Sequence, residues 1–253
     1  MKDSKEYSKK IQSLYKTLKK KYAKPSKKLM HEQVIDAVIC GIVSEHLNKK
    51  LVKAVIKRFK ESFVDWNDLR VSLDEEVLDA IGRDNTESKK IVAALTISLN
   101  AVFNQYNSVD LEELKKTGKR LAKQELEKID GLTGFVIDYV MLTALAGHAI
   151  PLTKKMLEYL KTNELVHPQA DEQEVSGFLV RQIPAAKGYE FYELLRHQSE
   201  KKAKAGKKKG KAKKVVKKKT SKKAKKTKKP APNAKTKAKK KNKKKTVKKK
   251  AKK

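Results

Sequence analysis

The chain has 253 residues and a formal net charge of +35 at pH 7, with 64 Lys and Arg against 29 Asp and Glu. Its one cysteine, Cys40, excludes an intramolecular disulfide, a Cys-ligated zinc site and an iron–sulfur cluster. The charge is concentrated: 31 Lys fall in 201–253, a segment with no Asp, Glu or aromatic residue, leaving 33 basic against 29 acidic residues and a net +4 for 1–200.

A segment of that composition cannot bury enough apolar surface to offset its ordering entropy, and its like charges repel. Residues 201–253 are therefore expected to be a disordered Lys-rich tail. The preceding 200 residues suffice for one compact domain or two small helical lobes. No apolar run approaches the roughly 18 residues of a membrane span. The opening Met1-Lys2-Asp3-Ser4-Lys5 leads into amphipathic sequence without a signal-peptide core, so a soluble intracellular protein is expected.

Ile11, Leu14, Tyr15 and Leu18 recur at helical spacing, which predicts a basic amphipathic helix over 4–22, ended by Pro25-Ser26. This gives an N-terminal segment, 1–28. Residues 29–46 carry Val34, Ile35, Val38, Ile39, Ile42 and Val43, a helix apolar on more than one side and hence buried. Cys40 lies within it and reads as a small buried hydrophobe. Leu51 to Phe59 marks a third helix, and Asp65-Trp66-Asn67-Asp68-Leu69 a short turn or helix. Ser72-Leu73-Asp74-Glu75 has capping-box spacing ahead of Val77, Leu78 and Ile81, with Gly82 as C-cap. A long helix starts near Asn85 or Thr86, and Asp110 caps a short one. Later helices are expected over 119–128, from the hairpin to Gly147, over 153–161, after Asp171, and after Pro184. No stretch alternates as a strand does, so the body, 29–200, is all-α.

The segment Ile129-Asp130-Gly131-Leu132-Thr133 makes a tight turn between two of these helices. Gly131 suits a position with φ > 0, where a Cβ would clash. The first N–H groups of the following helix have no partner within it and lie at the positive end of its dipole, which favours an anion such as a DNA phosphate. That is helix-hairpin-helix geometry; the alternative is an ordinary helix corner with a Gly at the bend. The candidate binding residues are Ile129, Gly131, Leu132, Thr133 and Gly134.

The series of elements over 29–198 resembles the helix-hairpin-helix DNA glycosylase superfamily, the endonuclease III-like fold. Ile129-Asp130-Gly131-Leu132-Thr133 stands where the family has Leu-Pro-Gly-Val-Gly. Gly147-His148-Ala149-Ile150-Pro151 stands where family members have a Gly, a short apolar segment and Val-Asp-Thr-His. Ile183-Pro184-Ala185-Ala186-Lys187 looks like the family's Val-Pro-Ala segment. Phe63-Val64-Asp65-Trp66 and Glu76-Val77-Leu78-Asp79-Ala80-Ile81-Gly82 look like the segments feeding its first lobe. The resemblance implies two helical lobes with a cleft between them and the hairpin at its edge.

The chain departs from that pattern at the residues of the chemistry. Where bifunctional members of the family have the Lys that forms a Schiff base with the sugar, this chain has Phe135, which has no lone pair to donate. Where the family has its catalytic Asp, it has Thr153. The cluster-binding cysteines are absent, and Thr133 replaces the second hairpin glycine. The tip of the 29–46 helix, where the family probes the base stack, reads Ser44-Glu45-His46, and Glu45 would repel phosphate. No catalytic or metal-ligating residue is assigned, and no cofactor is implied. His148 reads as a loop-capping residue or a phosphate contact. His46 with Glu45 reads as a solvated helix end or an acid/base pair. Asp138 reads as a displaced catalytic carboxylate only if the chemistry has moved. Tyr189, Phe191 and Tyr192 read as core.

The tail's lysines, among them Lys207, Lys208, Lys209, Lys217, Lys218, Lys219, Lys243, Lys244 and Lys245, each release a counterion when they neutralise a phosphate. Lys is a flexible point charge that reads no base, so binding should be strong, salt-dependent and non-specific. The tail resembles those of linker histones and bacterial histone-like proteins in composition. Without large apolar anchors, stable membrane insertion is not expected. The leading reading is a non-sequence-specific binder of double-stranded DNA, a catalytically inactive endonuclease III-like body with a Lys tail. The alternatives are a divergent glycosylase or abasic-site lyase acting on damaged DNA, and an RNA- or ribosome-associated binding protein.

Overall fold

The computed structural model describes residues 4–22 and 30–201. The expected tail beyond Lys201, with Lys207, Lys208, Lys209, Lys217, Lys218, Lys219, Lys243, Lys244 and Lys245, and the boundary at residue 28 lie outside the described residues. Among those described, the regular elements are helices and no strand occurs. They are α1 (Ser4–Lys21), α2 (Val34–His46), α3 (Lys49–Ser62), α4 (Trp66–Val71), α5 (Asp74–Ile81) and α6 (Thr86–Tyr106). A 3-10 turn (Glu112–Lys115) precedes α7 (Lys119–Glu127), α8 (Gly134–Thr143), α9 (Lys154–Thr162), α10 (Glu172–Gln182) and α11 (185–201). No described helix is long and apolar enough to cross a membrane.

Local chemistry sets the boundaries. Asn48, Asp65, Asn85, Thr133, Thr153 and Asp171 each accept a hydrogen bond from a first-turn N–H of the helix that follows. Each such cap contributes about 1 kcal/mol by satisfying a donor that the helix leaves open. Gly82 ends α5 in the left-handed conformation, as the sequence predicts. Three boundaries differ. α2 begins at Val34 rather than residue 29, because its first N–H is accepted at 2.6 Å by Glu112 Oε1, a carboxylate far along the chain. At α5 the Ser72–Glu75 box does not form: Ser72 Oγ donates back to Asp68 O, and Glu76 accepts from Leu73 N–H instead. α8 stops at Thr143, four residues before Gly147, whose N–H turns back to Met141 O.

α2 is the centre of the body. Ten of its thirteen residues are buried, and it packs chiefly on α8, with α6 and α3 against its other sides. Burying each Val or Ile side chain contributes about 1.5–3 kcal/mol before chain entropy is counted. The α2–α8 approach is close because Gly41 faces α8: a Cβ there would stand 3.1 Å from Val136 Cγ1 and 3.3 Å from Tyr139 Cδ1. α1 belongs to the same compact unit. Its Ile11 and Leu18 are buried, Tyr15 meets the Phe191 ring edge-on, and Tyr22 OH donates to Gln198 Oε1 at 2.6 Å.

Arg196 fixes the far end of α2. It is 6 % exposed, and its Nη2 donates to Ser44 O at 2.9 Å and Leu47 O at 2.8 Å. Those are carbonyls that the end of α2 leaves open. Its Nε donates to Glu200, which balances the buried charge.

Gly41→Leu should force α2 and α8 apart. The expected loss is about 1–3 kcal/mol, the usual cost of overpacking, read as a lower urea midpoint by circular dichroism. An unchanged midpoint would show that the crossing is loosely packed.

Candidate functional site

The hairpin forms as the sequence predicts. α7 ends at Glu127, and Ile129 and Leu132 are joined by a turn bond, Leu132 N–H to Ile129 O. Gly131 takes φ +84°, in the left-handed region. A Cβ on it would fall 2.6 Å from Ser98 Oγ and 2.9 Å from Ile97 Cγ2, so both conformation and space require glycine. Ile129 is a core anchor, buried under the turn, and Leu132 is half-buried. Gly131, Thr133 and Gly134 face solvent. Of the five candidate residues, three are therefore open to a ligand and two hold the turn in place.

Thr133 caps α8: its hydroxyl accepts from Val136 N–H at 3.3 Å. The same hydroxyl donates to Glu45 Oε2 at 2.8 Å. The Glu45 carboxylate, from the last turn of α2, thus stands beside the positive end of α8. His46 does not pair with Glu45 as an acid/base couple. Its Nδ1 lies 3.0 Å from Glu87 Oε2 on the first turn of α6, because the two side chains leave the end of α2 in different directions.

Between the hairpin and α10 lies a cleft of about 780 Å³. Glu45, Glu127, Asp138 and Glu172 line it, with Lys123 and Lys154 as the countercharges. Asp138 is held on both oxygens, by Lys123 Nζ at 3.2 Å and by the Ser176 hydroxyl at 2.9 Å. Glu172 is the first residue of α10, where the helix dipole favours a carboxylate. Burial nevertheless raises its pKa, and Glu45 and Asp138 push the same way, against Lys154. His148 caps a loop, with Nε2 2.8 Å from Ile183 O.

The positions that the resemblance assigns to catalysis are both occupied structurally. Phe135 is 1 % exposed, its ring 6.1 Å from that of Tyr139 in a stacked arrangement. Thr153 is buried, and its hydroxyl accepts from Met156 N–H as the cap of α9. Phe191 and Tyr192 are core, as expected, while Tyr189 is half-buried. The sequence reading missed the Glu45–Thr133 contact, whose partners are 88 residues apart and share no local signal. Arg196 was also missed, although an Arg inside the apolar stripe of the last helix, with Glu200 one turn on, marks a buried charge and its partner.

No protein-family model and no curated protein matches this chain. Solved structures do. A trapped endonuclease III–DNA covalent intermediate superposes with a TM-score of 0.59 at 17 % identity, over 75 % of this chain and 84 % of that one. The 8-oxoguanine glycosylase/lyase of Clostridium acetobutylicum, in complex with double-stranded DNA, gives a TM-score of 0.58 at 15 % identity, over 79 % and 71 % of the two chains. The 3-methyladenine DNA glycosylase of H. pylori, bound to 1,N6-ethenoadenine, gives 0.56 at 16 %, over 79 % and 98 %. The chain has the endonuclease III-like helix-hairpin-helix fold, all-α, as the sequence resemblance implies.

The raised Glu172 carboxyl makes stability pH-dependent. Above its folded pKa the folded state carries a charge that its surroundings disfavour, whereas below about pH 4 the group is protonated whether folded or not. Glu172→Gln should therefore raise the melting temperature at pH 7 to 8, and the gain should vanish on acidification. A gain that persists at low pH would assign it to packing.

Proposed function

We propose that the protein binds double-stranded DNA without sequence preference and without catalysing base removal. The body, 29–200, docks its hairpin on the phosphate backbone, α1 and the rest of 1–28 form an accessory basic segment, and 201–253 supplies most of the affinity. The observation that carries this reading is the burial of Phe135 at the position where the resemblance expects an amine nucleophile. A side chain closed off from solvent and lacking a lone pair attacks nothing. Thr153 supports it further, since a neutral hydroxyl committed to capping α9 replaces no carboxylate charge. The DNA complexes among the similar structures support duplex DNA as the partner. The open N–H groups at the start of α8 and the +31 carried by 201–253 support a contact made with phosphate rather than with bases.

The two parts separate by salt dependence. For the full chain, log K should fall steeply with log salt, by about 0.9 per phosphate neutralised. A chain ending at Lys201 should bind duplex DNA much more weakly and with a shallower slope. Structured RNA, offered as competitor, should displace the full chain from DNA far more readily than the shortened one, because the tail reads charge and the hairpin reads backbone geometry. Equal affinity and equal slope in the two chains would contradict the proposal.

A further inference from the structure

The Thr133 hydroxyl does two things at once. It caps α8 by accepting from Val136 N–H, and it donates to Glu45 Oε2 at 2.8 Å. The carboxylate so held is bound to the residue that opens α8, whose first N–H group, that of the exposed Gly134, has no acceptor four residues back in the helix. A helix start with open N–H groups favours an anion, and here a carboxylate of the chain is hydrogen-bonded to the capping residue itself.

We propose that Glu45 is an internal competitor for backbone phosphate at the hairpin, a latch that must swing off the α8 N-terminus before DNA can occupy it. The proposal rests on the reading of the hairpin as a phosphate contact.

The surroundings fit a latch rather than a fixed structural pair. Arg196 clamps Ser44 O and Leu47 O, so the backbone that carries Glu45 is held and only its side chain is free to turn. The residue is half-exposed, so turning does not break a packed core. His46, the one neighbour in sequence able to neutralise it, is committed to Glu87. Lys154 lines both the cleft and the adjoining hollow that Glu45 also lines, and offers the displaced carboxylate a countercharge. The engaged carboxylate also lies on the cleft side, where it and Asp138 help to raise the Glu172 carboxyl. A phosphate arriving at the hairpin thus meets a negative charge already in place. The Lys-rich segment, which has no such competitor within it, captures DNA first and raises its local concentration at the hairpin.

The test uses the full chain and two probes, inorganic phosphate and a short DNA duplex. The backbone amide signals of Gly134 and Phe135 are followed by NMR, so that binding elsewhere on the chain does not register. Glu45→Gln keeps an acceptor for Thr133 and removes the charge. It should tighten the response of both amides to phosphate and to duplex by roughly fivefold, about 1 kcal/mol. Glu45→Ala should move it in the same direction, and Glu75→Gln, an equal charge change on an exposed part of α5, should leave it alone. Equal responses in the wild-type and Glu45→Gln chains would overturn the latch while leaving the hairpin as a DNA contact. Amides that respond to neither probe in any variant would overturn the latch and the hairpin contact together, with the salt-steep binding of the full chain still standing.

Discussion

The packing of α2 on α8 is the constraint on which the rest of the body depends. Two apolar helices approach closely only because Gly41 presents no side chain to Val136 and Tyr139. That crossing sets where α8 begins and where α2 ends. The hairpin turn, the capping hydroxyl of Thr133 and the carboxylate of Glu45 therefore meet through the geometry of the core, not through any local sequence signal. Arg196 completes the arrangement from α11, using a buried guanidinium to satisfy the carbonyls at the end of α2. A buried charge is costly unless its donors are placed, and here Tyr192, Glu200 and the two carbonyls accept four of the five N–H groups. The tip of α2 is consequently tied to α11 through its backbone and to the start of α8 through the Glu45 side chain.

Much of this was legible before any coordinates. The helical periodicity of Val34 to Val43 marked a buried helix, and Asp65, Asn85, Thr153 and Asp171, read at helix starts in the sequence, are the caps of α4, α6, α9 and α10. Gly131 was legible as a left-handed turn position because a Cβ there is sterically excluded whatever the fold. The misreadings share one cause. The start of α2 is set by Glu112, the start of α5 by Glu76 rather than Ser72, and the partner of His46 is Glu87 rather than Glu45. Two of these three are tertiary contacts between residues at least 41 apart, and periodicity has no access to them. In the third, two residues compete for one local role and backbone geometry decides. The chemistry of the cleft was legible only as absence, an aromatic and a hydroxyl where an amine and a carboxylate were expected. What Phe135 and Thr153 do in this chain, a stacked core ring and a helix cap, needed the fold.

Electrostatics divide the chain into two unequal parts. The first 200 residues are nearly balanced in charge, and their cleft gathers carboxylates from α2, α7, α8 and α10. The last 53 carry lysine without any acidic residue. An acidic cleft beside the start of α8 is a poor instrument for tight, non-specific binding, and a lysine segment is a poor instrument for geometry. On the proposed reading, the two together separate capture from placement, long-range attraction coming from the lysine charges and short-range fit from backbone N–H groups whose positions the core fixes.

The central claim is DNA binding without base chemistry. Duplexes carrying an abasic site, 8-oxoguanine or an alkylated purine, incubated with an excess of the full chain, test it most directly. Strand scission and released base should be followed alongside retention of the DNA on the protein. The account predicts that every duplex is retained, with no scission or base release above that of protein-free DNA. Stoichiometric scission or base release that disappears on changing a cleft residue such as Asp138 would contradict it and make the cleft an active site.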